Sequence, residues 1–169
     1  WRSLRGSPNW SRRGFMADRI LLDSTYLLPT FGLEVEGISD EDLKGMRELL
    51  LRGDVEFFCL STTWIELIGK ICREAERRGI DIAERFREAV KSLMESGYYR
   101  WIEPSAEDIL MAFNLRRLGH RDIIDNLLYA ASISRGMKLL TMDRELKEFL
   151  RRHNYKIDHL IDHSILLGG

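Results

Sequence analysis

Short apolar runs that break off at a polar residue, each followed by a helical pattern, recur along this chain. Arg19-Ile20-Leu21-Leu22 ends in Asp23, Val55 to Leu60 runs into Ser61-Thr62-Thr63, and Lys138-Leu139-Leu140 runs into Thr141. Continuous apolar runs of this length suit strands buried on both faces. Their alternation with helices, with no two-residue hairpin between them, predicts parallel pairing. The expected fold is α/β, a three-layer α/β/α arrangement around a small, mainly parallel central sheet. Helices are predicted from the Ser39 cap to about Arg52, from Thr63 to about Arg78, from Ile82 to Glu95, from Ser105 to Gly119, from Asp122 to Arg135 and from Asp143 to Arg152. A further helix is expected to begin within Ser24 to Leu28, Tyr98 to Ile102 reads as a third strand, and Tyr155 to Ile157 as a last short one.

At 169 residues and 44% hydrophobic, the chain has material for one buried core. Residues 1–15 contain no acid and no periodicity and are expected to be a leader, tag or disordered tail, with a basic arm on nucleic acid as the alternative. Residues 16–169 then form a single domain. The 26 basic and 27 acidic residues nearly cancel, so any hold on a polyanion needs a local basic patch. No run approaches a membrane span and no apolar signal core follows the first arginines, which predicts a cytoplasmic protein. Cys59 and Cys72 fit no metal spacing and are expected to be buried and reduced. Glutamine is absent while Arg and Glu often lie three or four residues apart, a pattern associated with a thermophilic source. No glycine-rich phosphate loop is present, which argues against nucleotide binding of that kind.

In open parallel sheets, ligands bind beyond the carboxyl ends of the strands. Asp23 and Asp143 stand at such ends, Glu66 lies one turn into the helix after the second strand, and Asp125 lies near the start of the helix that leads to the Leu139 strand. Each acid has a plain structural reading: Asp23 and Asp143 as helix caps, Thr63-Trp64-Ile65-Glu66 and Asp122-Ile123-Ile124-Asp125 as capping boxes. Convergence is a different matter. A cap contributes roughly 1 kcal/mol, whereas two carboxylates about 4 Å apart repel by about 4 kcal/mol at an effective dielectric of 20. A cluster of them implies a cation, and oxygen ligands without His or Cys suit Mg²⁺ or Mn²⁺ and phosphodiester hydrolysis.

The same residues resemble the PIN domain family. The shared pattern is Ile20-Leu21-Leu22-Asp23-Ser24-Thr25, Thr63-Trp64-Ile65-Glu66, Asp125-Asn126-Leu127-Leu128-Tyr129-Ala130-Ala131-Ser132 and Leu139-Leu140-Thr141-Met142-Asp143, in this order, between Met16 and about Ile161. Thr25 departs from it, standing where the family often has a smaller or amide side chain. The resemblance implies a Mg²⁺- or Mn²⁺-dependent endoribonuclease, often dimeric, which in VapC-type relatives is a toxin held by a small antitoxin. It implies Asp23 and Asp125 as metal ligands, Asp143 completing the metal site, and Glu66 positioning or activating the attacking water, with Asp122 as an accessory residue. The alternative within the family is a non-catalytic RNA-binding or assembly subunit. A phosphatase with an Asp nucleophile is a further rival, but it commonly needs a second acid where Thr25 stands.

Arg116, Arg117, Arg121 and Arg144 flank these acids in sequence, as phosphate contacts or as solvated ion-pair partners. His159 and His163, with Asp158 and Asp162, would make a zinc site only if that stretch were helical; a polar C-terminal face is the plainer expectation. His120 is expected to be a loop residue. Tyr98, Tyr99 and Trp101 are expected in the core, with base stacking as the alternative.

Overall fold

Alternating side chains along the strands divide the apolar interior into two cores. A computed structural model describes residues 16–168, so the expected leader lies outside the described residues. Five strands, β1 (Asp18–Leu22), β2 (Val55–Leu60), β3 (Tyr99–Ile102), β4 (Lys138–Leu140) and β5 (Leu160–Ile161), form one sheet in the order β3-β2-β1-β4-β5. Every neighbouring pair is parallel. Ile20 and Leu22 of β1, Phe57 and Cys59 of β2 and Leu140 of β4 face one core; Leu21, Phe58, Leu60 and Leu139 face the other. This is the period-two rule applied to strands covered on both sides.

Helices α1 (Asp40–Arg52), α2 (Thr63–Arg78) and α3 (Ala83–Glu95) cover the first core, joined by the short α7 (His163–Leu166). Helices α4 (Ala106–Leu118), α5 (Ile123–Arg135) and α6 (Arg144–Arg152) cover the second. The chain therefore leaves β1 toward one layer and β4 toward the other, and β1 and β4 are neighbours. Their carboxyl ends flank a crevice, the position where such sheets take ligands. Among the described residues, no helix is long and apolar enough to cross a membrane.

The predicted elements are present, with instructive shifts. Ser24 to Leu28 does not begin an α-helix: two 3-10 turns, Ser24–Tyr26 and Leu28–Phe31, carry the chain past Pro29. The last strand is Leu160–Ile161 rather than Tyr155 to Ile157. After α6 the chain must return to the opposite sheet edge before it can pair in parallel, and residues 153–159 make that return. Asn154 turns it at φ 61°, and Tyr155 packs edge-on to Tyr129 with ring centroids 6.0 Å apart. Cys59 is buried as expected, but Cys72 is exposed on α2. On α4 the buried residues are Asp108, Ala112 and Leu115, while Ile109, Phe113 and Leu118 point outward. Tyr99 stacks on Phe57 and Trp101 on Trp64, which makes them part of the first core.

The α4–α5 pair sets where α5 begins. Asp108 is fully buried; its carboxylate accepts from Ser134 Oγ at 2.6 Å, Arg135 Nη1 at 2.6 Å and the Ser105 backbone N–H at 2.8 Å. Burial opposes its ionisation, yet these donors hold the carboxyl below its ordinary value. Removing the acceptor takes the short carboxylate bonds from Arg135 and Ser134 and leaves them the longer ones to Ala131 O, with Arg135 also on Glu103 O. Asp108→Ala is expected to cost about 3 kcal/mol, a fall in Tm of about 6–12 °C, measured by thermal or urea unfolding. A change of less than about 1 kcal/mol would remove this clamp from the account.

Candidate functional site

Asp23 follows β1 directly and is 6% exposed. Its backbone N–H extends the β1–β4 ladder to Leu140 O at 3.1 Å. One carboxylate oxygen accepts from Thr141 Oγ1 at 3.0 Å; the other accepts from Ser24 Oγ at 3.3 Å and Thr25 N at 3.5 Å, so Asp23 caps the first 3-10 turn while facing the crevice. Burial and then the charge of Glu66 push its pKa up, against the weaker pull of Lys70 and the Thr141 hydroxyl.

Asp143 is the N-cap of α6, accepting from Leu146 N at 2.9 Å, and its own N–H donates to Thr141 Oγ1 at 3.1 Å. Thr141 thus links the acids at the ends of β1 and β4. Asp122 caps α5, taking the N–H groups of Ile124 at 2.9 Å and Asp125 at 3.1 Å. Asp125 caps nothing. It is 8% exposed, and its carboxyl shares a hydrogen bond with that of Asp143. Burial, then the charges of Asp23, Asp122 and Asp143, push its pKa up to about 9. The start of α5 thus opens on the same edge of the sheet as Asp23 and Asp143. What fixes it is a clasp: His120 Nδ1 donates to Asn126 Oδ1 at 2.8 Å, and Asn126 Nδ2 donates back to His120 O at 3.2 Å, both residues buried. His120 is a loop residue as expected, and a buried one that supports the α5 entry.

Glu66 does not close a capping box with Thr63. It lies close enough to raise the pKa of Asp23, but its Oε1 pairs with Lys70 Nζ at 2.5 Å, and Oε2 is buried with no hydrogen-bond partner among the described residues. Lys70 and Ser24 are the site residues that sequence reasoning missed. Their only signals were the i, i+4 spacing from Glu66 and adjacency to Asp23.

The proposed zinc group does not form. His159 precedes β5 and bonds Ser132 Oγ at 3.0 Å, whereas His163 follows β5 and bonds Tyr26 Oη at 3.1 Å, so the strand separates them. Arg116, Arg117, Arg121 and Arg144 are exposed, and the ion pairs among the described residues involve none of them; Arg117 lies over the Phe113 ring. They form a basic rim on the α4–α5 and α6 side.

The donor set fits a hard divalent cation in chemistry and charge. The carboxyls of Asp125 and Asp143 stand within hydrogen-bonding reach, and the charges of Asp23 and Asp122 add to the negative field at Asp125. Among the described residues, no group of three or more His, Cys, Asp or Glu side chains is already close enough together to hold a metal ion. An ion here would rest on one or two carboxylates and complete its shell with water and substrate oxygens, which is ordinary for Mg²⁺.

No family profile and no curated protein sequence matches the chain. Solved structures do. The crystal structure of PAE2754 from Pyrobaculum aerophilum is similar at a TM-score of 0.59 and 21% identity, over 96% of this chain and 95% of that one. VapC20 of Mycobacterium tuberculosis, described as a sarcin-ricin loop cleaving toxin, is similar at a TM-score of 0.53 and 12% identity, over 76% of this chain and 93% of that one. The fold is PIN-like. In this sheet Asp23 and Asp143 stand just past the carboxyl ends of β1 and β4, Asp125 lies within electrostatic reach of both, and Glu66 within that of Asp23.

A group whose folded pKa lies above its unfolded value contributes stability below the unfolded value and loses it as pH rises through the folded one. For Asp125 that window runs from about pH 4 to about pH 9. Metal-free wild type should therefore weaken across it more steeply than Asp125→Asn. The variant is expected to match wild type near pH 4 and exceed it at pH 9 by on the order of 1 kcal/mol or more, about 2–4 °C in Tm. Melts in chelator at both pH values check this; a variant less stable at pH 9 would return Asp125 to a structural role.

Proposed function

We propose that this chain is a Mg²⁺- or Mn²⁺-dependent endoribonuclease that hydrolyses RNA phosphodiester bonds at the β1–β4 crevice, and that it works as the toxin of a toxin–antitoxin pair. The observation that carries this reading is Asp125. It is buried, and its carboxyl lies against that of Asp143 and within the field of Asp23, a crowding of acids that opposes ionisation and suits a cation.

Asp23 and Asp125 would hold the ion directly and Asp143 would complete the metal site through water, with Thr141 and Ser24 fixing the Asp23 carboxylate. The bound ion supplies Lewis-acid polarisation of the phosphodiester and offsets charge on the leaving oxygen. Glu66, through its unpartnered Oε2, orients the attacking water and accepts its proton. Asp122 holds the α5 entry by its cap and adds negative charge at Asp125. Arg116, Arg121 and Arg144 take neighbouring phosphates, which offsets a chain whose net charge gives no general attraction.

The toxin role rests on the likeness to VapC20 and brings with it a small antitoxin protein as partner. A homodimer is part of the same reading: Ile65, Ile109, Leu110 and Phe113 are more than half exposed, and apolar side chains in such numbers suit a protein interface. A cytoplasmic location follows from an RNA substrate and a protein antitoxin. The second reading, a non-catalytic RNA-binding or assembly subunit, is favoured by one observation: no three ligand side chains stand at ion-holding distance among the described residues.

Cleavage of labelled RNA with and without Mg²⁺ or Mn²⁺ separates the two. Metal-dependent cleavage is expected in wild type, with Asp23→Asn and Asp125→Asn each slower by at least about 100-fold. Added Mn²⁺ should raise the Tm of wild type and leave that of the Asp23→Asn, Asp125→Asn double variant unchanged. RNA binding with no cleavage under either metal would favour the non-catalytic subunit.

A further inference from the structure

Lys70 acts electrostatically on Asp23, and the metal-binding chemistry above does not need it. It stands one turn beyond Glu66 on α2, with its side chain 31% exposed. Its ammonium grips Glu66 Oε1 at 2.5 Å and donates to Ser24 Oγ at 2.9 Å, and Ser24 Oγ donates in turn to Asp23 Oδ1 at 3.3 Å. One ammonium therefore spans α2 and the turn after β1. A solvated pair at i, i+4 spacing adds little to helix stability, so stability alone gives the link small value. Its geometric consequence is larger. With Oε1 gripped, the carboxylate cannot turn freely, and Oε2 is left as a buried acceptor without a donor. A lone pair kept in that state costs free energy unless something fills it.

We infer that Lys70 is a positioning residue that acts through Glu66: by holding Oε1 it presents Oε2 as the acceptor for the attacking water. The inference rests on the nuclease reading above. It separates Lys70 from the basic rim, because an ammonium with two of its donors committed to Glu66 and Ser24 is a support for an acid rather than a free phosphate ligand.

The test uses the full chain as Lys70→Met, Lys70→Gln, Lys70→Arg, Glu66→Gln and the double Lys70→Met, Glu66→Gln, with a labelled single-stranded RNA and Mn²⁺. Lys70→Met is expected to lower kcat at least about tenfold while KM stays within about threefold, since only the chemical step loses its oriented acceptor. Lys70→Gln provides the same measurement should the Met variant fold poorly. Lys70→Arg should recover most of kcat. The double variant should be no slower than Glu66→Gln alone, because residues that act as a unit are not additive. Independently of turnover, the Mn²⁺ concentration giving half of the thermal shift should not rise in Lys70→Met. Wild-type kcat in Lys70→Met, an additive double variant, or a KM or Mn²⁺ midpoint raised more than about tenfold would overturn the positioning role. A wild-type chain that cleaves no RNA under Mg²⁺ or Mn²⁺ would instead overturn the nuclease reading and the positioning role with it, so the two failures are told apart by the wild-type control.

Discussion

Asp23 ends the central strand of the sheet and is nearly closed off from water, so its charge has to be met from within the crevice. The surroundings meet it piece by piece. Thr141 Oγ1 reaches across from the end of β4, Ser24 and the backbone of Thr25 come from the 3-10 turn, and Lys70 brings positive charge from α2. Asp125 stands among acids instead. Its neighbour is a second carboxyl, that of Asp143. Two ionised carboxylates about 4 Å apart repel by about 4 kcal/mol at an effective dielectric of 20, and crowding of this kind, together with burial, pushes the Asp125 pKa up. Capping explains Asp122 and Asp143, since each satisfies N–H groups at a helix start. It explains neither the burial of Asp125 nor the lone oxygen of Glu66.

The two-sided sheet makes this crowding possible. Because β1 feeds the layer of α1 to α3 and β4 feeds α6 on the other side, the chain splays apart between neighbouring strands and leaves a slot. The α4–α5 hairpin then lowers the start of α5 into that slot. Asp108 with Ser134 and Arg135 locks the hairpin at one end, and the Asn126–His120 clasp locks its turn at the other. These supports are polar and buried, so they are costly to leave half-satisfied and they specify one arrangement.

PAE2754 and VapC20 share this architecture at 21% and 12% identity. At that distance the apolar pattern and the strand order are common while most side chains differ. A shared fold does not by itself transfer an activity. Asp23 and Asp143 push up the pKa of Asp125, and Glu66 that of Asp23, a crowding that a bound cation would offset.

Much of the fold was legible in the chain because burial leaves a period. The runs ending at Asp23, Leu60 and Leu140 are apolar on both faces, which specifies strands covered on both sides. Ser39, Ser105 and Gly53 mark helix ends by local hydrogen bonding and by a left-handed turn. The acids at the strand ends were legible for the same reason. Local pattern failed where a long-range contact outweighed it: Tyr155 to Ile157 looks like a strand but serves the return to β5, Ile109 and Phe113 look like core but face outward, and Thr63 to Glu66 looks like a capping box although Lys70 holds Glu66. By itself, then, the sequence determined the order and kind of the elements and which acids lie at their ends, because those depend on neighbours a few residues away. Only the tertiary structure decided that Asp125 would face Asp143, that Thr141 would bind Asp23, and that Glu66 would keep one oxygen unpaired. These pairings join residues that are far apart in the chain, or at the tips of different elements, and the strand order β3-β2-β1-β4-β5 is what brings them together.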